Sequence, residues 1–401
     1  MSSDARRAPH GELPPATGAW QEGDPVGGRR FVDVFDDHAL LLEAGGTLGG
    51  PGAPPVRVAY ETWGSLSERK DNVVLLLHAL TGDSHVKGPV GAGHSTPGWW
   101  EAMVGPGRAI DTDQFFVVVP NVLGGCQGTT GPSSIGPDGA AWGSRFPTVT
   151  IRDQVAVEMA AMSALGFERL HGVIGGSMGG MRALEWALCA PTRVERLILL
   201  ACGPMATGEQ IALSLAQREA ILADERFAAG DYYAAAPGEG PWRGMGVARR
   251  IGQITYRTRA ELRERFGRDP QRGEDPLHGG RFLVEGYLDH HASKLAWRFD
   301  ANSYVILSRA MDLHDVGRGR GGVEAALATL TMPTTVIGFD SDRLYYLDEQ
   351  ERIARHVPTA HPLIRLSSPF GHDAFLLEAE AVSPYVAEAL REHVGPVKSQ
   401  G

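Results

Sequence analysis

Residues 171–180 read HGVIGGSMGG, and few folds accommodate a serine among glycines spaced in this way. A short β-branched run precedes Gly175-x-Ser177-x-Gly179, and the helix-forming run MRALEWALCA follows it. In such a strand–turn–helix the bend is so tight that the serine backbone is strained and neighbouring side chains would collide. The pattern therefore predicts a nucleophile elbow at Ser177. The alternatives are a plain glycine-rich turn and a phosphate-binding loop, but a phosphate loop would carry Gly-x-x-x-x-Gly-Lys-Ser/Thr, and no lysine stands here.

Apolar runs elsewhere in the chain predict the sheet that would hold this elbow. Most are apolar on both faces, which is typical of the central strands of a parallel sheet. They lie at residues 72–78, 115–120, 172–175, 196–201, 334–338 and 362–366. Helical patterns alternate with them, which predicts an α/β fold with a mostly parallel sheet covered on both faces. Two further apolar stretches flank GGTLGGPGAPP and predict a β-hairpin with a long loop over residues 38–63.

The alternation of strands and helices breaks after about residue 204. Long helical and Arg-rich stretches without a strand signal then continue to about residue 325. We therefore expect an α/β core over residues 31–203 and 326–401, with a helical lid inserted over residues 204–325. Residues 1–30 are rich in Pro, Gly and charge, and we expect a mobile N-terminal arm there.

Composition excludes several classes of protein. The chain is 43% apolar and 21% charged, which is typical of a globular protein. Its 401 residues are more than a single hydrophobic core usually accommodates. The formal charge is −10, so we expect neither a nucleic-acid nor a membrane partner. Cys126, Cys189 and Cys202 are too few and too scattered for a disulfide framework. Since there is also no apolar run near the ~20 residues of a membrane span and no hydrophobic signal core, we expect a cytoplasmic protein.

The partners of the serine are predicted from their order along the chain. A serine is a poor nucleophile until a base, itself oriented by an acid, takes its proton, and in this fold the order is serine, acid, histidine. Asp340 and Asp342 follow the strand at 334–338, and spacing alone favours neither as the acid. His372 follows the last strand in the loop PFGHD, from which an imidazole could reach Ser177. The alternative for His372 is a loop histidine that precedes a helix.

An oxyanion hole needs two backbone N–H donors. One is expected from Met178, directly after the serine, and one from Leu80 in the HALTG loop, which could instead be an ordinary connection. His78 is expected to be structural or part of this loop, and His290 and His291 to be solvated or structural. We find no His-Glu-x-x-His and no Asp/His cluster at metal-ligand spacing, so no metal is predicted. These features predict serine acyl transfer and leave open whether water or an alcohol accepts the acyl group.

Several longer blocks resemble the homoserine O-acetyltransferase family, within the α/β-hydrolase fold. The resemblance runs from about residue 38 to 395, and its blocks are far more specific than Gly-x-Ser-x-Gly alone. They are LLLHALTGDSHV (75–86), GWW (98–100), DTDQFFVVVPNVLGGCQGTTGPSSI (111–135), VIGGSMGGMRALEW (173–186), ARRIGQITYRT (248–258), RFDANSY (298–304) and GHDAFLLE (371–378).

The resemblance implies transfer of an acetyl group from acetyl-CoA to the hydroxyl of L-homoserine in methionine biosynthesis. It places the nucleophile on Ser177, the base on His372 and the acid on Asp342. It also implies that Arg218 and Asp373 contact the amino acid. The Arg218 guanidinium suits the carboxylate of the amino acid, and the Asp373 carboxylate suits its ammonium group. It implies no cofactor beyond the co-substrate acetyl-CoA, and a homodimer formed through the lid.

The chain departs from the family pattern in the acid loop, where Tyr346 stands at a position that is commonly proline. We expect this change to alter the stiffness of the loop. Close relatives transfer succinyl instead of acetyl, or acylate serine, so an O-succinyltransferase is the alternative within the same class. A serine esterase of the same fold is the alternative from another class.

Overall fold

The computed structural model describes residues 13–392, and an eight-stranded sheet lies at its centre. The strands are β1 (Arg30–Val34), β2 (Ala39–Leu41), β3 (Thr47–Gly49), β4 (Val56–Trp63), β5 (Val73–Leu77), β6 (Val104–Gly105), β7 (Ile110–Asp111), β8 (Phe116–Pro120), β9 (Gly172–Gly176), β10 (Leu197–Leu200), β11 (Thr334–Phe339) and β12 (Ile364–Leu366). The helices are α1 (Ile151–Ala164), α2 (Met178–Cys189), α3 (Gly208–Leu222), α4 (Trp242–Tyr256), α5 (Arg259–Phe266), α6 (Leu283–Ala296), α7 (Ala301–Asp312), α8 (Val323–Leu327), α9 (Leu347–His356), α10 (Ala374–Leu377) and α11 (Ala379–Arg391).

The order across the main sheet is β1-β4-β8-β5-β9-β10-β11-β12. The pairings of β4 with β1 and with β8 are antiparallel, and every other pairing in this sheet is parallel. The predicted α/β fold with a mostly parallel sheet is therefore confirmed. Because parallel strands end at the same edge, the loops after β5, β9, β11 and β12 meet there, and these loops carry the candidate catalytic residues.

Alternate side chains of the central strands face two separate hydrophobic cores. In β5, Val73, Leu75 and Leu77 belong to the core that contains residues of α1, α2 and α9. Val74 and Leu76 belong to the core that contains residues of α11. Since side chains alternate along a strand and both faces are covered, a central strand must be apolar throughout, as its sequence is.

The hairpin predicted over residues 38–63 is wrong. β2 turns back at once and pairs with β3, and Gly45 and Gly46 both adopt positive φ in the tight connection. Glycine is the residue that adopts this conformation without steric cost. β4 instead pairs with β1 and β8 in the main sheet, as its largely buried side chains require.

The N-terminal segment differs from the arm that we expected over residues 1–30. Residues 1–12 lie outside the described residues, whereas residues 13–29 pack against the rest of the chain. The Gly18 N–H donates to the Phe299 carbonyl at 3.1 Å, and the Trp20 N–H donates to the Cys126 carbonyl at 2.9 Å. A Cβ at Gly18 would lie 2.5 Å from the backbone nitrogen of Arg298. The glycine here therefore permits close backbone docking.

Six helices, α3 to α8, lie between β10 and β11 within the described residues, with no strand of the main sheet among them. The lid that we expected at residues 204–325 falls within this segment. α3 begins at a capping box in which Thr207 and Gln210 bond each other's backbone N–H groups, so its start is fixed locally. No helix in residues 13–392 is long and apolar enough to cross a bilayer.

Candidate active site

Ser177 occupies the bend between β9 and α2. Its backbone has φ 56° and ψ −125°, a strained conformation for a residue with a side chain. A Cβ at Gly175 would lie 2.0 Å from the Gly179 carbonyl oxygen, and a Cβ at Gly179 would lie 2.0 Å from that of Leu77. The two glycines are therefore required for the bend, as the spacing predicts.

The structure brings Ser177, His372 and Asp342 together. The His372 Nε2 lies 2.9 Å from the Ser177 Oγ, and the His372 Nδ1 lies 2.8 Å from the Asp342 Oδ2. All three residues are buried. In a neutral imidazole the Nδ1–H donates to the carboxylate, which leaves Nε2 free to accept the serine proton. Asp340, the other candidate for the acid, is exposed and accepts a hydrogen bond from the Ser368 N–H.

The acid loop is held from both sides by amide side chains. The Asp342 Oδ1 accepts hydrogen bonds from the backbone N–H groups of Leu344 and Tyr345, both at 2.9 Å. The Gln210 amide donates to the Leu344 carbonyl at 2.6 Å, and the Gln350 amide donates to the Tyr345 carbonyl at 3.0 Å. Side-chain hydrogen bonds therefore restrain the loop that has no proline after its aromatic residue.

The predicted oxyanion donors belong to two segments that touch each other. A Cβ at Gly179 would lie 3.0 Å from the His78 carbonyl oxygen, so the first turn of α2 lies against the start of the HALTG loop. Leu80 and Met178 are both buried in one apolar cluster. The backbone N–H of Leu80 and that of Met178 therefore belong to neighbouring segments beside Ser177.

His78 is structural in this arrangement. Its Nε2 accepts from the Val122 N–H at 3.1 Å, so its Nδ1 carries the proton and donates to the Ala79 carbonyl at 2.8 Å. Burial, and next the charge of Arg182, hold the pKa of His78 well below its usual value. Arg182 donates to the His78 carbonyl and pairs with Glu158 at 2.5 Å, which ties α2 to the loop.

The two residues expected to contact the amino acid have different surroundings. The Arg218 Nη1 lies 2.7 Å from the Asp312 Oδ2, and both side chains are buried, so this guanidinium is already neutralised. The Asp373 Oδ2 lies 3.1 Å from the Arg257 Nε. Burial raises the pKa of Asp373, and the charges of Arg257 and Arg249 oppose that rise. Each of the two residues therefore has an ion-pair partner within the protein, and Asp373 is the one that directly follows His372.

Sequence reasoning missed Arg249 in α4. Its guanidinium lies 5.6 Å from the centre of the Tyr256 ring, which is 5.9 Å from the centre of the His372 ring. In residues 13–392 no carboxylate lies within ion-pairing distance of Arg249, and its buried Nε has no hydrogen-bond partner. The signal was the block ARRIGQITYRT, which places Arg249 and Tyr256 two helical turns apart.

The lid histidines, which we expected to be solvated or structural, differ in exposure: His290 is exposed and His291 is half-buried. Their rings contact each other edge to face, and the His291 ring also packs on Tyr287. Burial, and next the charge of Arg249, lower the pKa of His291 to about 3, so it stays neutral.

One cluster of metal-ligating side chains was also missed, because its members come from separate segments. The Glu61 carboxylate lies 3.1 Å from the His85 Nδ1 and 3.5 Å from the His94 Nε2, and all three residues are buried. The two imidazole rings stack at 3.7 Å with only 9° between their planes, and the Gly28 N–H donates to the His94 Nε2. Because a metal binds in the plane of each ring, two stacked rings cannot direct lone pairs at one ion, and this arrangement does not fit a metal.

Comparison with known proteins agrees with this site. The family model described as alpha/beta hydrolase fold matches residues 72–379. A homoserine O-acetyltransferase of Thermobifida fusca is 57% identical over 378 residues, which are 94% of this chain and 98% of that relative. A homoserine O-acetyltransferase of Mycobacterium marinum is 50% identical over 360 residues, 90% of this chain and 93% of that relative.

Two solved structures are similar over nearly their whole length. The homoserine O-acetyltransferase from Bacillus anthracis has a TM-score of 0.80 at 26% identity, covering 92% of this chain and 98% of that chain. Esterase E22 has a TM-score of 0.79 at 28% identity, covering 90% and 99%. The structural similarity therefore includes proteins of two different activities. The two relatives at 50–57% sequence identity, by contrast, are both named homoserine O-acetyltransferases. On these identities, this chain belongs to the homoserine O-acetyltransferase family, within the α/β-hydrolase fold.

Proposed function

We propose that this protein transfers the acetyl group of acetyl-CoA to the hydroxyl of L-homoserine, a step of methionine biosynthesis, through an acetyl-serine intermediate. The observation that carries the proposal is the continuous hydrogen-bonded chain from Ser177 through His372 to Asp342 in a member of this family. The reaction needs acetyl-CoA as co-substrate and no resident cofactor or metal, and it takes place in the cytoplasm.

In the first half of the reaction, His372 Nε2 takes the Ser177 proton while the Oγ attacks the thioester carbonyl. Asp342 stabilises the imidazolium that forms. The N–H groups of Met178 and Leu80 hold the oxyanion, and losing one such donor costs on the order of 10²–10³ in rate. His372 then protonates the sulfur of CoA, which leaves.

In the second half, the homoserine hydroxyl enters the place that CoA has left. His372 takes the hydroxyl proton, and the oxygen attacks the acetyl carbonyl. As the acyl bond to Ser177 breaks, His372 returns the proton to the serine oxygen. This sequence predicts a double-displacement rate law.

The acceptor is held by opposite charges in the lid and the last loop. Arg249 is the cation for the homoserine carboxylate, because it has no acidic partner in residues 13–392, whereas Arg218 is paired with Asp312. Asp373, which also pairs with Arg257 at 3.1 Å, is the anion for the ammonium group, because it directly follows His372 and lies in the fields of Arg257 and Arg249. A guanidinium and a carboxylate in the acceptor site select an amino acid over a simple alcohol.

The lid over residues 204–325 is also the surface through which we propose a homodimer. Apolar side chains are exposed on its two adjacent helices, α3 and α4. They are Ile211, Leu215, Leu222, Val247 and Ile254. Light scattering should give twice the chain mass for the wild type and a lower mass for Leu215→Glu, and a wild-type monomer would contradict this surface.

The experiment that tests the activity follows CoA release with and without homoserine. With acetyl-CoA alone, a transferase releases one equivalent of CoA per active site in a burst, and it turns over only when homoserine is added. An esterase of the same fold releases CoA at the same rate with and without homoserine. Intact mass of the trapped adduct on Ser177 distinguishes acetyl from succinyl. A larger adduct would favour the O-succinyltransferase alternative.

A further inference from the structure

We propose that Arg182 in α2 is a positioning residue for the oxyanion hole, and that it acts through His78 to fix the direction of the Leu80 N–H. The inference rests on the proposed function, because it concerns a donor of the same acyl-transfer site. Within residues 13–392 the hydrogen bonds of Arg182 go to His78 and Glu158 and not to the triad. Arg182 therefore acts on the loop and not on the reacting atoms.

The direction of the Leu80 N–H is set by the peptide that links Ala79 to Leu80. A peptide unit is planar and this one is trans, so the N–H points away from the Ala79 carbonyl. That carbonyl accepts two hydrogen bonds, from the His78 Nδ1–H at 2.8 Å and from the Gly82 N–H at 2.9 Å. The Leu80 N–H itself has no hydrogen-bond acceptor among residues 13–392, so it is free to bind an oxyanion.

Arg182 fixes His78 through the backbone of that residue. Its Nη2 donates to the His78 carbonyl, and its Nη1 donates to the Glu158 Oε1 at 2.5 Å. The His78 Nε2 accepts from the Val122 N–H at 3.1 Å, which leaves the proton on Nδ1 for the Ala79 carbonyl. Burial, and next the charge of Arg182, lower the pKa of His78, so the ring stays neutral and keeps this tautomer.

Arg182 also gives the two oxyanion donors a common support. Met178, which carries the other expected donor, is the first residue of α2, and Arg182 follows it after about one helical turn. A Cβ at Gly179 would lie 2.0 Å from the Leu77 carbonyl oxygen, so the first turn of α2 packs directly against the end of β5. The helix therefore carries one donor itself and aligns the other through Arg182.

The ion pair that holds Arg182 is fully buried. The Arg182 and Glu158 side chains are 0% and 1% exposed, and Glu158 accepts a second hydrogen bond from the Trp186 Nε1–H at 2.8 Å. Because desolvating two charges offsets the gain from pairing them, apolar side chains of similar volume are often at least as stable. The directional hydrogen bond to the His78 carbonyl is what an apolar side chain could not supply. We therefore assign the pair to the placement of the loop.

The oxyanion forms at the same place in both half-reactions, so a displaced Leu80 N–H should slow both of them equally. Arg182→Met should slow acetylation and deacetylation of Ser177 by about 10- to 100-fold each, as a catalytic group misplaced by about 1 Å does. Since both steps slow by the same factor, the KM values for acetyl-CoA and homoserine should stay nearly constant. The Ki of a trifluoromethyl ketone analogue of acetyl-CoA, which forms a tetrahedral adduct on Ser177, should rise by that factor.

Arg182→Met leaves the Glu158 carboxylate buried and unpaired, so the double variant Arg182→Met/Glu158→Gln is measured beside it. The double variant removes both buried charges and keeps an acceptor for Trp186, and it should show the same slowing in a stably folded protein. The matched control is Arg320→Met, which takes one arginine from Glu185, another buried glutamate of α2. It should lower thermal stability and leave both rates within about twofold, because the hydrogen bonds of Arg320 do not reach the HALTG loop.

Stopped-flow CoA release measures acetylation of Ser177, and a second mixing step with homoserine measures deacetylation. The burst amplitude reports the active fraction of the enzyme, and the rate constant does not depend on it, so partial unfolding cannot imitate slow chemistry. Wild-type rate constants in the double variant would overturn the inference, and so would an equal loss of rate in Arg320→Met. A wild type that never carries an acetyl adduct on Ser177 would instead overturn the proposed function.

Discussion

The catalytic triad on the core side and the lid side of the active site differ in how completely their polar atoms are bonded. On the core side, His372 bonds both Ser177 and Asp342, and Asp342 accepts two further backbone N–H groups. On the lid side, Arg249 Nε and Gln253 Oε1 are buried without a hydrogen-bond partner in residues 13–392. A buried polar atom without a partner costs about 1–3 kcal/mol, so these atoms mark where polar groups of a substrate can bind.

This difference separates two tasks. The core side carries out acyl chemistry that any triad of this fold can perform, and its geometry is complete before substrate arrives. In the proposed reaction the lid side selects the acceptor, whose polar groups would bond the unpartnered atoms. The similarity in structure to both an acetyltransferase and an esterase agrees with this division, because the two share the fold and differ in named activity.

The largest expected effect is on the core side. Ser177→Ala removes the oxygen that carries the acetyl group, and activity should fall by on the order of 10³–10⁶, as it does when a serine nucleophile is lost. The assay is steady-state CoA release with homoserine, with circular dichroism to check folding. Activity within tenfold of the wild type would contradict the acyl-serine scheme and the division of tasks with it.

The two aspartates of the acid loop give the next comparison. Asp342→Asn should lower kcat by on the order of 10³–10⁴, because the amide cannot stabilise the imidazolium or hold its tautomer. The matched change Asp340→Asn should leave kcat within about twofold, since that carboxylate is exposed and does not contact His372. Comparable losses in the two variants would contradict the assignment of Asp342 as the acid of the triad.

On the lid side, Arg249→Met should raise the KM for homoserine about 10- to 100-fold, the worth of a charged hydrogen bond. Acetylation of Ser177 by acetyl-CoA should be unchanged, since the acceptor is absent from that step. The control Arg218→Met leaves the buried Asp312 carboxylate unpaired. It should therefore lower thermal stability more than it raises KM. If only Arg218→Met raised the KM for homoserine, Arg218 and not Arg249 would be the residue that binds the homoserine carboxylate, as the family resemblance implies.

The smallest effect concerns the boundary between the two regions, where the His314 carbonyl accepts from the Ala206 N–H at 2.9 Å. Burial lowers the pKa of His314 to about 4. Between about pH 6.5 and 4 the unfolded chain therefore binds a proton that the folded chain does not, and stability falls as pH falls. His314→Gln should reduce this slope by up to one proton in urea titrations at several pH values. If the free energy of unfolding of His314→Gln depended on pH as steeply as that of the wild type, the lowered pKa of His314 would be contradicted.

The features that could be predicted from the sequence are those that depend on short stretches of chain. The glycines around Ser177 and the apolar strands are local patterns, and the order of serine, acid and histidine pointed to the loops that the structure brings together. The hairpin failed because β4 pairs with strands distant in sequence. The choice of Asp342 over Asp340, the pairing of Arg218 with Asp312 and the isolation of Arg249 all depend on contacts that no single segment contains.

The docked N-terminal segment has a practical consequence for protein engineering. The Thr17 hydroxyl donates at 2.8 Å to the Asp300 carboxylate, which is fully buried at the start of α7. A truncation that trims the chain past Trp20 would take away this donor and open the seam beside Phe299 to solvent. Affinity tags and fusion partners therefore belong ahead of residue 13, and shortened versions of the enzyme should be screened for a loosened lid before any loss of turnover is blamed on the triad.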